Sequence, residues 1–347
     1  MKERVIHFLQ KEIDLENIPG AAIYISYKGT PILKEVIGNR TLTPTKELMQ
    51  MDTVFDLASL TKKVTTMTAS LQLLDKGEIR LDDPVSYFFP EFNENGKAEV
   101  RIRHLLTHTS GLPAHKPFYE EELKTAQIIE KICAEKLENP VGQKVVYSDL
   151  GFILLASLIE KVVDAPFAEY VSKEILAPLE MHETGFNLTF SRARFAATEY
   201  SEKLNDYKYG IVHDENAESM GGVSGHAGLF STLKDLANFA HMIENGGSFK
   251  GKRIISTVAL DLSKQNFTPF DEEGRGLGWQ IHSPRLSCGD LFSYSSYGHT
   301  GFTGTSMWFD PEIQLHVILL TNRVHAKNQQ AILRLRPRLH NLIRAQL

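Results

Sequence analysis

The chain is poor in the residues that staple or ligate. Only two cysteines, Cys133 and Cys288, occur among 347 residues. Neither belongs to a C-x-x-C pair and no Cys/His cluster has zinc spacing, which excludes a zinc ribbon and a disulfide scaffold. Cys133 falls on an amphipathic stretch, where a small buried hydrophobe is expected. No apolar run has the length needed to span a bilayer. A basic surplus is missing too: net charge is −5 with a pI near 6.2, so no nucleic-acid footprint is present. The densest basic group, Arg334, Arg336, Arg338 and Arg344, reads as a solvated helix face. The opening MKERVIHFLQKEI reads as an amphipathic helix without the apolar core and cleavage site of a signal peptide, so a cytoplasmic location is expected. Internal repeats and low-complexity segments are absent.

What is present suits a soluble globular protein with a large core: 42% hydrophobic and 23% charged residues. After the first helix, AAIYISYKGTPILKEVIG reads as a hairpin turning at Lys28-Gly29. Helices are expected from Ser59 to Lys76-Gly77, over 101–106, 120–138, 150–163 and 166–175, and over 233–245. Strand-like runs return late, in GLGWQIH, TSMWFD and LHVILLTN, followed by a helix from Asn328 that Pro337 interrupts. Strands at both ends and helices between them predict an α+β protein, an antiparallel sheet built from both termini and flanked by helices. The expected division is a single catalytic domain, with a sheet lobe of about 1–58 plus 223–347 and a mostly helical lobe of about 59–222. A ligand is expected in the cleft between them.

Three segments carry candidate chemistry. Ser59-Leu60-Thr61-Lys62 opens a helix, so hydroxyl and amine share one face. A serine hydroxyl needs a neighbouring base to attack at neutral pH, and lysine serves when its pKa is lowered. The helix start adds free N–H groups where an oxyanion would form. Tyr147-Ser148-Asp149 immediately precedes the apolar helix, where Ser148 or Asp149 is expected to cap it. His299-Thr300-Gly301 sits at a strand start, where glycine lets a substrate lie close; the N–H groups of Ser59 and Phe302 could then face one carbonyl oxygen. Ser224 in GGVSGHAGLFST does not complete G-x-S-x-G. GGSFKGK lacks the Ser or Thr of a phosphate loop, since Arg253 follows. His213-Asp214-Glu215-Asn216 lacks a metal-binding pattern and reads as a loop rimming the cleft.

The order and spacing of these motifs resemble the serine penicillin-recognising hydrolases, in particular the class C β-lactamase-like branch with its esterases, D-amino-acid peptidases and cell-wall amidases. RHLLTHTSGL at 103–112 and GHAGLFST at 225–232 agree, and the likeness covers nearly the whole chain. It implies a β-lactamase/transpeptidase-like fold and an acyl-enzyme on Ser59, with Lys62 and Tyr147 sharing its proton. Asp149, His299, Thr300, Gly301 and Phe302 would serve substrate and oxyanion. No metal or organic cofactor is implied. The substrate would be a small-molecule ester, amide or peptide, with a muropeptide among the candidates; a D,D-peptidase, a β-lactamase and a non-catalytic binder are the alternatives. Oligomeric state is not legible. Two positions depart from the family pattern. Asp149 stands where asparagine is usual, and a carboxylate about 4 Å from Lys62 would stabilise the ammonium by roughly 4 kcal/mol. Either Asp149 is protonated, or it points away, or Tyr147 carries the base role while Lys62 stays charged; the last is favoured, with Asp149 setting the pH profile. His299 stands where many β-lactamases carry lysine; being mostly neutral, it leans toward ester or amide substrates.

Overall fold

The computed structural model describes residues 1–283 and 287–347. An amphipathic helix, α1 (Lys2–Asp14), leads into the hairpin β1 (Gly20–Tyr27) and β2 (Thr30–Thr41), which turns through Lys28 and Gly29, both at positive φ. A short β3 (Glu47–Leu48) follows. The central helices include α2 (Thr68–Asp75), α3 (Asp149–Val163) and α4 (Leu233–Glu244). The chain then supplies β4 (Gln280–Ile281), β5 (Tyr297–Thr300), β6 (Ser306–Asp310) and β7 (Leu315–Leu320), and ends in α5 (Ala331–Arg344).

These strands form one antiparallel sheet in the order β4-β5-β6-β7-β1-β2-β3. The junction of the two chain ends is the β7–β1 pair, where Ala22 opposes Leu320 and Tyr27 opposes Leu315. Both faces are covered, which is why β7 is apolar at nearly every position. Alternation sorts the side chains. Ala21, Ile23 and Ile25 of β1 pack with Val5, Leu9, Leu335 and Leu339 of the terminal helices. Ala22 and Tyr24 face the larger core of the helical part, with Leu60, Phe152 and Phe239. The α+β architecture is therefore the one expected.

Several boundaries differ from expectation. The helix expected over 120–138 is only Thr125–Ala134, preceded by a short 3₁₀ turn over Phe118–Glu121. Glu135 is extended because the chain leaves the helix to let Glu138 donate its N–H to Gly111 O. Pro337 does not interrupt α5. Its helix neighbours Leu335, Leu339 and Ile343 are fully buried, and that burial offsets the roughly 3 kcal/mol that a proline inside a helix costs through its lost hydrogen bond and ring clash. Arg336 on the same helix is 3% exposed, so it does not belong to a solvated face. GGSFKGK makes a tight hairpin, Ser248–Phe249 against Lys252–Arg253. Cys133 and Cys288 are buried free thiols. Among the described residues no helix is long and apolar enough to cross a membrane.

Candidate active site

Ser59 lies in a 3₁₀ turn, Ala58–Leu60, that tightens the entry to a π-helical segment, Lys62–Met67, continuing as α2. Wide helical turns of this kind recur at functional sites. The entry is strained. Ala58 has φ +45°, left-handed for a residue with a Cβ, and Asp56 holds it there by accepting the Ala58 N–H at 2.8 Å. Asp56 also accepts the His213 N–H at 2.7 Å, so one buried carboxylate ties the turn to the far rim of the cleft. As a first-turn residue, Ser59 has no intrahelical acceptor for its own N–H.

The GHAGLFST phrase forms the wall behind this helix. Leu57 donates its N–H to Leu229 O and Leu229 donates its own to Thr61 Oγ1. Thr66 Oγ1 donates to Gly225 O at 2.7 Å. Opposite, the loop after β5 is pinned to the same turn: Thr303 Oγ1 donates to Asp56 O and Thr305 Oγ1 to Leu57 O. Gly301 sits in that junction. A Cβ there would lie 2.1 Å from Thr305 Oγ1 and 2.5 Å from Leu57 O, so only glycine fits.

Tyr147 is positioned by the RHLLTHTSGL phrase. His108 accepts the Ser148 N–H on Nδ1 at 3.1 Å, and its ring lies 4.5 Å from that of Tyr147. Ser148 occupies the N-cap of α3 through its backbone alone; its hydroxyl donates to Pro113 O at 2.6 Å. Asp149 is the first residue of the helix, so neither side chain caps it as expected.

These three segments converge on Lys62. Its ammonium donates to Ser59 Oγ at 3.0 Å and to His226 O at 3.1 Å, lies 2.8 Å from Asp149 Oδ1, and stands 4.9 Å from the Tyr147 ring centroid. Burial of Lys62 disfavours its charge, but Asp149 and Tyr147 outweigh that and hold its pKa above the ordinary lysine range. Asp149, 19% exposed, is pushed up by burial and pulled further down by Lys62, well below the carboxylate range. Asp149 therefore neither points away nor is protonated at neutral pH. Burial, reinforced by Lys63, Arg275 and Lys62, holds the His299 and His108 rings neutral.

A cavity of about 470 Å³ opens over these groups, lined by Ser59, Tyr147, Asp149, His299, Thr300, Gly301 and Phe302. All eight expected residues thus meet here, seven on the wall and Lys62 fully buried behind it. The segment His213-Asp214-Glu215 rims the same cavity, as expected for a loop. Asp214 is held by His226, whose other ring nitrogen shares a hydrogen bond with Ser224 Oγ. This Ser–His–Asp arrangement is structural: Ser224 is 2% exposed and does not line the cavity. Asp149, Asp214 and His226 bring ligand-type atoms within 4.8 Å of one another, but Asp149 is already paired with Lys62 and Asp214 is hydrogen-bonded to His226.

Sequence reasoning missed three guanidiniums on this wall. Arg275 is 3% exposed, stands 5.5 Å from the Tyr147 ring centroid, pairs with Glu273 through Nη2, and leaves Nε and Nη1 without a partner. Arg336 donates to Gly301 O at 3.1 Å and Thr305 O at 2.9 Å, and burial lowers its pKa to about 9. Arg323 donates to Phe302 O and lies 4.2 Å from its ring centroid. The GLGW run around Arg275 was readable only as a strand; its arginine carried no signal of burial.

The wall therefore presents a serine hydroxyl in contact with a buried ammonium that also stands against the Tyr147 ring, at the edge of an antiparallel sheet; Tyr147 Oη is itself buried without a hydrogen-bond partner among the described residues. The β-lactamase family model matches residues 6–339, and the chain belongs to that family. It is a serine hydrolase of the β-lactamase-related, penicillin-binding-protein-like type. The chain is 33% identical to the N-acetylmuramyl-L-alanine amidase of Bacillus subtilis, across 93% of this chain and 81% of the relative. Two solved structures share the fold. EstCE1, described as a hydrolase with promiscuous acyltransferase activity, matches with TM-score 0.78 at 21% identity, covering 97% of this chain and 98% of its own. The octameric penicillin-binding protein homologue from Pyrococcus abyssi matches with TM-score 0.73 at 23% identity, covering 98% and 77%.

Proposed function

We propose that Ser59 is the nucleophile of this hydrolase and that Tyr147 takes its proton while Lys62 stays charged. The observation that carries this is the contact of Ser59 Oγ with Lys62 Nζ at 3.0 Å while the same ammonium meets Asp149 at 2.8 Å. An ammonium so paired is a poor base but a good electrostatic partner for a phenolate. Ser59 Oγ attacks the carbonyl carbon and its proton passes to Tyr147. The N–H groups of Ser59 and Phe302 hold the oxyanion. Gly301 and Gly304 use their N–H groups within the turn, donating to Thr305 O and Gly301 O, whereas Phe302 contributes none to it. Tyr147 returns the proton to the leaving group, giving an acyl-Ser59 ester that water cleaves by the same route.

The substrate we infer is an amide or ester bearing an anionic group, such as a cell-wall-derived muropeptide. Two observations support this. Arg275 lines the cavity, and its buried Nε and Nη1 have no partner there among the described residues, a charge that a substrate carboxylate could pair. The amidase relative is named for an N-acetylmuramyl-L-alanine bond. Thr300 and Gly301 would line the substrate along β5, with neutral His299 behind them.

The test is intact mass after exposure to a fluorophosphonate and to penicillin, alongside turnover of a muropeptide. Adducts that disappear in Ser59→Ala, with release of a peptide amine from the muropeptide, support the assignment. Adducts that persist in Ser59→Ala overturn it. Turnover of penicillin in preference to the muropeptide would instead favour a β-lactamase.

A further inference from the structure

We propose that His241, Glu244 and His316 form a binding site for a borderline divalent cation, Zn²⁺ foremost, separate from the catalytic cavity. His241 and Glu244 stand three residues apart on α4 and so share one face. His316 meets them from β7, and one donor atom from each of the three lies within 4.8 Å of the others. Donors held about 2.1 Å from one ion sit roughly 3.4 Å apart, a spacing this cluster accommodates. Two imidazoles and one carboxylate are a donor set that suits Zn²⁺ and not the all-oxygen shells of Mg²⁺ or Ca²⁺.

The second observation is His316 itself. Its ring is fully buried, and neither ring nitrogen has a hydrogen-bond partner among the described residues. Nδ1 approaches Glu244 Oε1 to 2.7 Å without forming a hydrogen bond of ordinary geometry. Buried imidazole nitrogens left unpaired are costly unless something else satisfies them. An ion bridging His316 and Glu244 satisfies one of the two ring nitrogens and the unpaired Glu244 Oε1. His241 is prepared in the manner of a metal ligand. Its Nε2 shares a 2.7 Å hydrogen bond with Tyr24 Oη, while Nδ1 faces Glu244 Oε2 at 3.9 Å. An outer hydrogen bond of this sort fixes the tautomer and ring orientation of a ligating histidine. Glu244 also lines a cavity of about 300 Å³ beside Lys264 and Gln314. The site is thus approached from its carboxylate side, since neither histidine lines that cavity.

The site is remote from Ser59. Thr300 pairs with Ser306, Ser306 pairs with Leu319, and His316 lies three residues along the same strand. Two strand spacings and three residues of rise place the trio about 14 Å from Thr300. A bound ion would join α4 to the centre of the sheet without touching substrate.

The full-length, chelator-treated protein should be titrated with Zn²⁺ by calorimetry and with Co²⁺ by visible absorption. One Zn²⁺ per chain is expected, with a raised Tm, and Co²⁺ should give the intense d–d bands of a low-coordinate nitrogen-ligated site. Asp214→Asn, which alters the other cluster, should leave the stoichiometry at one. Glu244→Gln should weaken binding at least about tenfold, as should Tyr24→Phe through loss of the outer hydrogen bond. Mg²⁺ should not compete. No saturable binding of Zn²⁺, a hexa-aqua Co²⁺ spectrum in the wild type, or affinity unchanged in both Glu244→Gln and Tyr24→Phe would each overturn the proposal.

Discussion

Lys62 Nζ and Asp149 Oδ1 lie 2.8 Å apart in the wall of the catalytic cavity, closer than the 3.0 Å between the same ammonium and Ser59 Oγ. The carboxylate therefore competes with the Ser59 hydroxyl for the lysine, and it holds the lysine in its charged form. Asp149→Asn removes a full negative charge next to Lys62 while keeping the shape. The Lys62 ammonium is then no longer neutralised by a carboxylate, and its full charge acts on the proton transfer from Ser59 to Tyr147. The acid limb of kcat/KM should move to lower pH by about one unit or more. A profile superimposable on that of the wild type would show that Asp149 does not govern the base.

The same pair makes a prediction about stability. Asp149 is held below its unfolded pKa, so its contribution is fully present above roughly pH 4 and lost as pH falls through the folded value. Lys62→Met strands the carboxylate. Its burial then raises the folded pKa above the unfolded one, and the sign reverses: the deficit is largest at neutral pH and shrinks as pH falls toward 4. At pH 7 the loss should be about 2–4 kcal/mol, at the lower end because Asp149 keeps some solvent contact. Lys62→Met/Asp149→Asn should recover most of it without recovering activity. Urea denaturation at pH 7 and pH 5 measures both variants, and a deficit independent of pH would refute the pairing.

Arg275 predicts selectivity. It lines the cavity beside Tyr147, and its buried Nε and Nη1 have no partner among the described residues. Arg275→Gln should raise KM for a carboxylate-bearing amide at least about tenfold, and much less for a neutral p-nitrophenyl ester, since a charge-assisted bidentate pair is lost only in the first case. Equal effects on the two substrates would assign Arg275 to holding the Tyr147 ring.

The site was more legible in the chain than the fold's details were. Ser59, Lys62, Tyr147 and His299 were legible as candidates because three motifs in one order carry a family resemblance that none of them carries alone, and the structure brings the four to one cavity. The sheet from both termini was legible because β1, β2, β6 and β7 are apolar enough to require cover. Arg275, Arg336 and His108 were hidden for a common physical reason: burial, and the absence or presence of a partner, are properties of the assembled fold. A sequence window holds an arginine next to Gly276 and another within a row of helix arginines; it does not hold the wall they face. The overextended helix over 120–138 failed differently. Its apolar period continues past Ala134, but the long-range bond from Glu138 to Gly111 O prevails over local propensity.

Gly301 tests how closely the two halves of the site must approach. The turn after β5 lies against the Ser59 segment with no room for a side chain, since a Cβ would meet Thr305 Oγ1 at 2.1 Å and Leu57 O at 2.5 Å. Gly301→Ala must push the strand edge away from the nucleophile or rotate the Thr305 hydroxyl off Leu57 O, which it now reaches at 3.1 Å. The second movement relieves only one of the two contacts, so the backbone has to shift. Phe302 N–H shifts with it, and the oxyanion donors lose their common focus. A displacement of this size should lower kcat/KM about 100-fold. Thr305→Ala alone removes the hydroxyl without widening the gap and should cost far less. Rates for both variants on one ester, with Tm as the check on folding, measure the difference. Full activity in a folded Gly301→Ala protein would separate the strand edge from the chemistry.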